Sequence, residues 1–104
     1  MEEALRDRIY LDPMLGFGTT REEDLAWLQA IGGLCRYGRV LVGASRKRIV
    51  KKLTGLAGKV TGKNLGGNLA IALWCALNGV AVVRVHDVRE TVQALQVLET
   101  LNGV

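Results

Sequence analysis

Short apolar runs punctuate the chain three times, and a stretch with helical spacing follows each of them. The first run, Arg8-Ile9-Tyr10-Leu11-Asp12-Pro13, reads as a short strand stopped by proline, with Tyr10 and Asp12 on one face and Ile9 and Leu11 on the other. Thr20-Arg21-Glu22-Glu23 then forms a capping box, and Leu25, Leu28 and Ile31 give the following helix an apolar stripe that ends before Gly38. The second run, Arg39 to Ala44, predicts a buried strand. Ser45 is placed to cap a short helix behind it, with Ile49, Val50 and Leu53 facing inward. After a glycine-rich loop, 55–67, a helix is expected from about Gly67 to Asn78, stopped by Asn78-Gly79. Its core, Leu69 to Leu77, is apolar on nearly every side, which predicts burial by more than one neighbour.

The third run carries the most information. Five of the six residues from Val80 to Val85 are apolar and mostly β-branched, which predicts a fully buried parallel strand. Alternation puts Arg84 and His86 on the face of Val80 and Val82. Asp87-Val88-Arg89-Glu90 is an N-cap pattern, and Val92, Leu95, Leu98 and Leu101 mark the apolar face of a last helix that ends at Asn102-Gly103. Three βα units in succession mean an α/β protein with a parallel sheet covered by helices.

Composition narrows the field without naming a chemistry. The 104 residues are one domain's worth, 1–104, and 49% hydrophobic content supports a core. A net charge of +4 suits an anionic ligand without requiring nucleic acid, and no aromatic platform is interleaved with the basic run, so a nucleic-acid partner is not expected. Cys35 and Cys75 have no metal-binding spacing, and one histidine cannot complete a zinc site, so no protein metal ligand is expected. Two widely separated cysteines point to a reducing cytoplasm. The longest apolar run, Leu69 to Leu77, is too short to span a bilayer.

The polar residues collect after each strand: Asp12, then Ser45 to Arg48, then Arg84 to Asp87. In a parallel sheet those positions share one edge, the edge where α/β proteins bind ligands. A carboxylate such as Asp12 accepts a paired N–H edge of a guanidine or aminopyrimidine, or else bonds turn amides; both uses stay open. The basic run Arg46-Lys47-Arg48 is either a solvated helix face or an anion site beside a helix N-terminus. Arg84 and His86 do nothing for packing, and are either a structural pair or part of a ligand site.

Taken together, Asp12-Pro13-Met14-Leu15-Gly16-Phe17-Gly18, Val42-Gly43-Ala44-Ser45-Arg46-Lys47, Gly67-Asn68-Leu69-Ala70 and Arg84-Val85-His86-Asp87-Val88 resemble the motifs of dihydropteroate synthases. These are (β/α)8 TIM barrels of folate biosynthesis. The resemblance implies a partial pterin-binding barrel equivalent to the last three of eight βα units. It implies the family's transferase reaction: hydroxymethyl-dihydropterin pyrophosphate condenses with p-aminobenzoate and releases pyrophosphate, with Mg2+ carried on the substrate's phosphates. By the same resemblance Asp12 holds the pterin's amino-pyrimidine edge, Lys47 its carbonyl side, and Arg84 the ring and leaving group. His86 helps hold the pyrophosphate. Ser45 is counted with the substrate-binding residues, beside a helix N-terminus that favours an anion. Phe17 and Arg48 lie where p-aminobenzoate is received.

Three positions depart from the family pattern: Met14 replaces glycine, Thr19 a lysine and Arg48 a serine. A whole barrel needs about 250 residues, so three units leave open edges and an uncovered inner face. The expectation is a fold incomplete as a single chain, one that self-associates or completes its barrel with a separate amino-terminal half, and that acts as an enzyme only when completed. An inactive pterin- or anion-binding module, or a self-assembling barrel fragment, is the alternative.

Overall fold

The computed structural model describes residues 9–16, 20–43 and 65–103. Its elements follow the expected βα rhythm. They are β1 (Tyr10–Leu11), α1 (Arg21–Gln29), α2 (Ile31–Leu34), β2 (Arg39–Val42), α3 (Leu65–Leu77), β3 (Val82–Val83) and α4 (Val88–Asn102). The strands pair in parallel in the order β1-β2-β3, with Tyr10 opposite Arg39 and Leu41 opposite Val82. Parallel strands need crossovers, and α1–α2 and α3 supply them.

The core lies on one face of this sheet. Val40 and Val42 of β2 are fully buried against Leu28, Ile31 and Cys75, while Leu11, Ile71, Val80 and Val83 pack around them. Leu15, 1% exposed, belongs to the same cluster and pins the loop after β1 to the core. Among the described residues nothing covers the opposite face. Tyr10, Arg39 and Val82 are exposed there, and Arg39 sets its guanidinium 5.9 Å from the Tyr10 ring centroid.

The expected capping box at Thr20 is present: its hydroxyl accepts from the Glu23 amide at 3.1 Å, and the Glu23 carboxylate accepts from the Thr20 amide at 2.9 Å. The helix it opens is broken at Ala30 rather than running to the residues before Gly38. The stop after α3 is a Schellman turn: Gly79 takes φ +87°, its amide bonds the Ala76 carbonyl, and the Val80 amide reaches back to Cys75. The Asn78 side-chain amide also donates to the Trp74 carbonyl at 2.8 Å.

Five expectations need correction. The run from Val80 to Val85 is not fully buried: only Val82–Val83 pair as strand, and Val82 is 37% exposed, because β3 is an edge strand whose second face nothing in the described chain covers. Val80 turns toward the core, away from Val82 and Arg84. Helix α3 is not enclosed on all sides: Asn68, Ala72 and Cys75 form its buried stripe, while Trp74 (44%) and Leu77 stand exposed. Trp74 is anchored nonetheless, its indole N–H donating to the Leu28 carbonyl at 2.7 Å. In α4 the most buried residue is Thr91, and Val92 and Leu101 (71%) face outward. The Asp87 side chain does not cap α4; instead the Thr91 hydroxyl donates to the Asp87 carbonyl at 2.7 Å. The short helix expected after Ser45 lies outside the described residues.

Cys75 has no exposed surface, and burial, together with the neighbouring Cys35 thiol, pushes its pKa up to about 11. The protonated thiol is therefore the form the fold favours. Stability from this group is complete below the ordinary thiol pKa and is lost as pH rises through 9 toward 11, by about 2 kcal/mol. Chemical denaturation at about pH 8 and about pH 11 should show that slope, and Cys75→Ala should flatten it. Cys35, less buried, should react with iodoacetamide before Cys75 does.

Candidate functional site

Each strand ends in a residue aimed at the same edge. Beyond β1, Asp12 is exposed and its Oδ1 accepts the Met14 amide at 2.8 Å. The turn-bonding use weighed for this carboxylate is thus realised by one oxygen. An ionised carboxylate offers about four acceptor directions, so the ligand-binding use is compatible with it.

The turn that follows is held from both sides. Met14 takes φ +59°, and Gly16 takes φ +79°. The Gly16 amide donates at 3.2 Å to Oδ1 of Asp24, an α1 residue only 2% exposed. Asp24 is a residue that sequence reasoning passed over. It sits among acidic residues at the start of α1, where a helix dipole explains all of them equally well. Only its burial and its loop contact mark it out.

The left-handed φ at Met14 gives the departure from glycine a physical meaning. A side chain in that region costs about 1–2 kcal/mol, partly offset by the lower chain entropy of a non-glycine residue. Met14→Gly should therefore raise stability by about 1 kcal/mol. A thermal melt of the two proteins checks it, and an unchanged or lower melting temperature contradicts it.

Beyond β2 comes Gly43, which is buried, and beyond β3 comes Arg84, whose amide donates to the Val42 carbonyl at 2.8 Å. Exposure alternates through this segment: Val82, Arg84 and His86 face out, while Val83, Val85 and Asp87 turn inward. The expectation that Arg84 and His86 share a face with Val82 is met, although the paired strand stops at Val83. Arg84 also borders a shallow depression of about 10 Å³, room for about one water, shared with Val42, Asn68, Ile71, Ala72, Val83 and Val85. The structure thus brings Asp12, Gly43, Arg84 and His86 to the carboxyl ends of three adjacent parallel strands. Phe17, Ser45, Lys47 and Arg48 lie outside the described residues, as does Thr19.

Parallel βα units with Asp12 beyond β1 and Arg84 and His86 beyond β3 have the layout of α/β proteins that bind ligands at their strand ends. Residues 3–86 match the family described as pterin binding enzyme, and the chain belongs to that family. The dihydropteroate synthase of Escherichia coli K12 is 34% identical over 95 residues, which cover 90% of this chain and 33% of that protein. The fold superposes on the dihydropteroate synthase of Thermus thermophilus in complex with 6HMPPP, with a TM-score of 0.83 at 38% identity, covering 89% of this chain and 37% of that one. The same Thermus protein in complex with 4-aminobenzoate gives a TM-score of 0.81 at 39% identity, covering 88% and 35%. The chain spans about a third of the length of these relatives. The α/β fold with three parallel strands is the one expected, and the neighbours it matches are TIM barrels.

Among the described residues no helix is long and apolar enough to cross a membrane.

Proposed function

We propose that this chain supplies the pterin-pyrophosphate edge of a dihydropteroate synthase barrel, and that the completed barrel condenses hydroxymethyl-dihydropterin pyrophosphate with p-aminobenzoate. The observation that carries this reading is the convergence of Asp12 beyond β1 with Arg84 and His86 beyond β3, the outer two of three neighbouring parallel strands, in a chain whose residues 3–86 match a pterin-binding family.

The roles follow from the chemistry of each group. Asp12 accepts the paired donors of the pterin's amino-pyrimidine edge, and Lys47 donates to its carbonyl side. Arg84 lies along the ring and reaches the leaving group, where His86 and Ser45 also hold phosphate oxygens. The amine nitrogen of p-aminobenzoate attacks the pterin's exocyclic methylene carbon, with Phe17 and Arg48 at that end of the site. The C–O bond to pyrophosphate breaks, pyrophosphate leaves with the electron pair, and the amine releases its proton to solvent. Cations beside the departing oxygen stabilise the charge that develops there. By the family resemblance, the magnesium of this reaction is assigned to the substrate's phosphates, whose charge it would neutralise.

Among the described residues no strand pairs with the outer edges of β1 and β3, and those edges suit pairing with further strands. The proposal includes that completion, by self-association or by a separate amino-terminal half-barrel. The test is dihydropteroate formation by the purified chain, alone and mixed with the first five βα units of the Escherichia coli relative. Turnover is expected only in the mixture, and lost on Lys47→Ala. Pterin binding with no turnover in any mixture overturns the enzymatic reading and leaves a binding module.

A further inference from the structure

Gly43 is the one glycine of the ligand edge, among the described residues, whose need is set by a charged side chain. A methyl group built on it would sit 2.8 Å from Nη2 of Arg84, 3.0 Å from Nε and 3.3 Å from Cζ, and these are its three nearest neighbours. Three atoms of one guanidinium at such distances mean that the flat group lies against the Gly43 backbone. Gly43 does not occupy the left-handed region, so its conformation would accept alanine. Space, not backbone geometry, selects glycine here.

We propose that Gly43 is a positioning residue: its missing side chain seats the Arg84 guanidinium flat across the end of β2, with its donors presented at the strand-end edge. The ligand half of this inference rests on the pyrophosphate site proposed above, whereas the seating rests on the contacts alone. The register explains how the two meet. Val42 pairs with Val83, so the next residues, Gly43 and Arg84, stand side by side, and the Val42 carbonyl fixes the Arg84 amide at 2.8 Å. An arginine free in solvent must be ordered when it binds phosphate, and that ordering lowers affinity; a guanidinium already seated loses less. Because the colliding atoms are the far end of a flexible side chain, alanine at 43 displaces the guanidinium and spares the sheet.

The test compares the wild type with Gly43→Ala, Arg84→Ala and the double variant: labelling is read on the two proteins that keep Arg84, and affinity on all four. Phenylglyoxal labelling of Arg84, followed by peptide mass spectrometry, reports the seating without any ligand. Gly43→Ala is expected to speed it about threefold, as befits a guanidinium lifted off the backbone. Affinity for inorganic pyrophosphate, measured on the same assembled protein as the turnover assay, reports the consequence. Gly43→Ala should weaken it about fivefold when Arg84 is present and less than about twofold when Arg84 is already alanine, the signature of coupled sites. Unchanged labelling overturns the seating. Faster labelling with equal loss of affinity in both backgrounds overturns the positioning role. Faster labelling in a protein that binds no pyrophosphate leaves the seating established and overturns the functional reading on which the ligand half rests.

Discussion

Arg84→Gln is expected to weaken binding of a pterin pyrophosphate by about 10- to 100-fold, the loss of a charge-assisted hydrogen bond worth about 1.5–3 kcal/mol. Glutamine keeps a donor and much of the length but loses the charge and the fork. The side chain is exposed beyond β3 and lies outside the hydrophobic core cluster, so the melting temperature should change little. The diagnostic comparison is with the same pterin lacking its pyrophosphate. That ligand should lose much less affinity, because the leaving group is where the missing charge acts. Calorimetric titration of both ligands against both proteins checks it, and an equal loss for the two ligands removes Arg84 from the pyrophosphate end.

Asp12→Asn has the complementary signature. One carboxylate oxygen already accepts the Met14 amide, and asparagine's carbonyl oxygen can keep that bond, so the turn should survive. Asparagine cannot present a second acceptor and carries no charge, so a paired N–H edge loses one partner and meets an N–H group instead. Affinity should fall by about 10- to 100-fold for pterins with and without pyrophosphate alike. Equal affinity of the two proteins would mean that Asp12 serves only the turn. The salt dependence separates the variants too, since only Arg84→Gln removes a cation from the multiply charged pyrophosphate end.

Much of this was legible in the residues, and the reasons for success and failure are local. The capping box at Thr20 and the stop at Asn78-Gly79 were readable because each depends on a few adjacent residues making bonds to one another. The outward set Val82, Arg84 and His86 was readable because alternation persists beyond the paired strand. The burial of Val80 to Val85 was misread for a tertiary reason: an apolar run marks a strand that could be covered on both faces, and it cannot say whether the chain supplies the cover. The same holds for α3, whose exposed Trp74 and Leu77 have the composition of a core. The loop contact of Asp24 and the seating of Arg84 on Gly43 were not legible in the sequence. The first belongs to a buried carboxylate disguised by acidic neighbours, and the second depends on the side chain of Arg84, far along the chain on the neighbouring strand. Met14 was flagged by its departure from the family's glycine, and its φ of +59° supplies the physical cost of that departure.

The central claim is that the ends of β1, β2 and β3 form the pterin-pyrophosphate edge of a barrel. Its most direct test is a titration of hydroxymethyl-dihydropterin pyrophosphate, with magnesium, into the chain assembled with an amino-terminal half-barrel. The account predicts saturable binding at one ligand per barrel, weakened by both Asp12→Asn and Arg84→Gln. Saturable binding that both variants retain at full affinity, or no binding by a well-folded assembly, would contradict it.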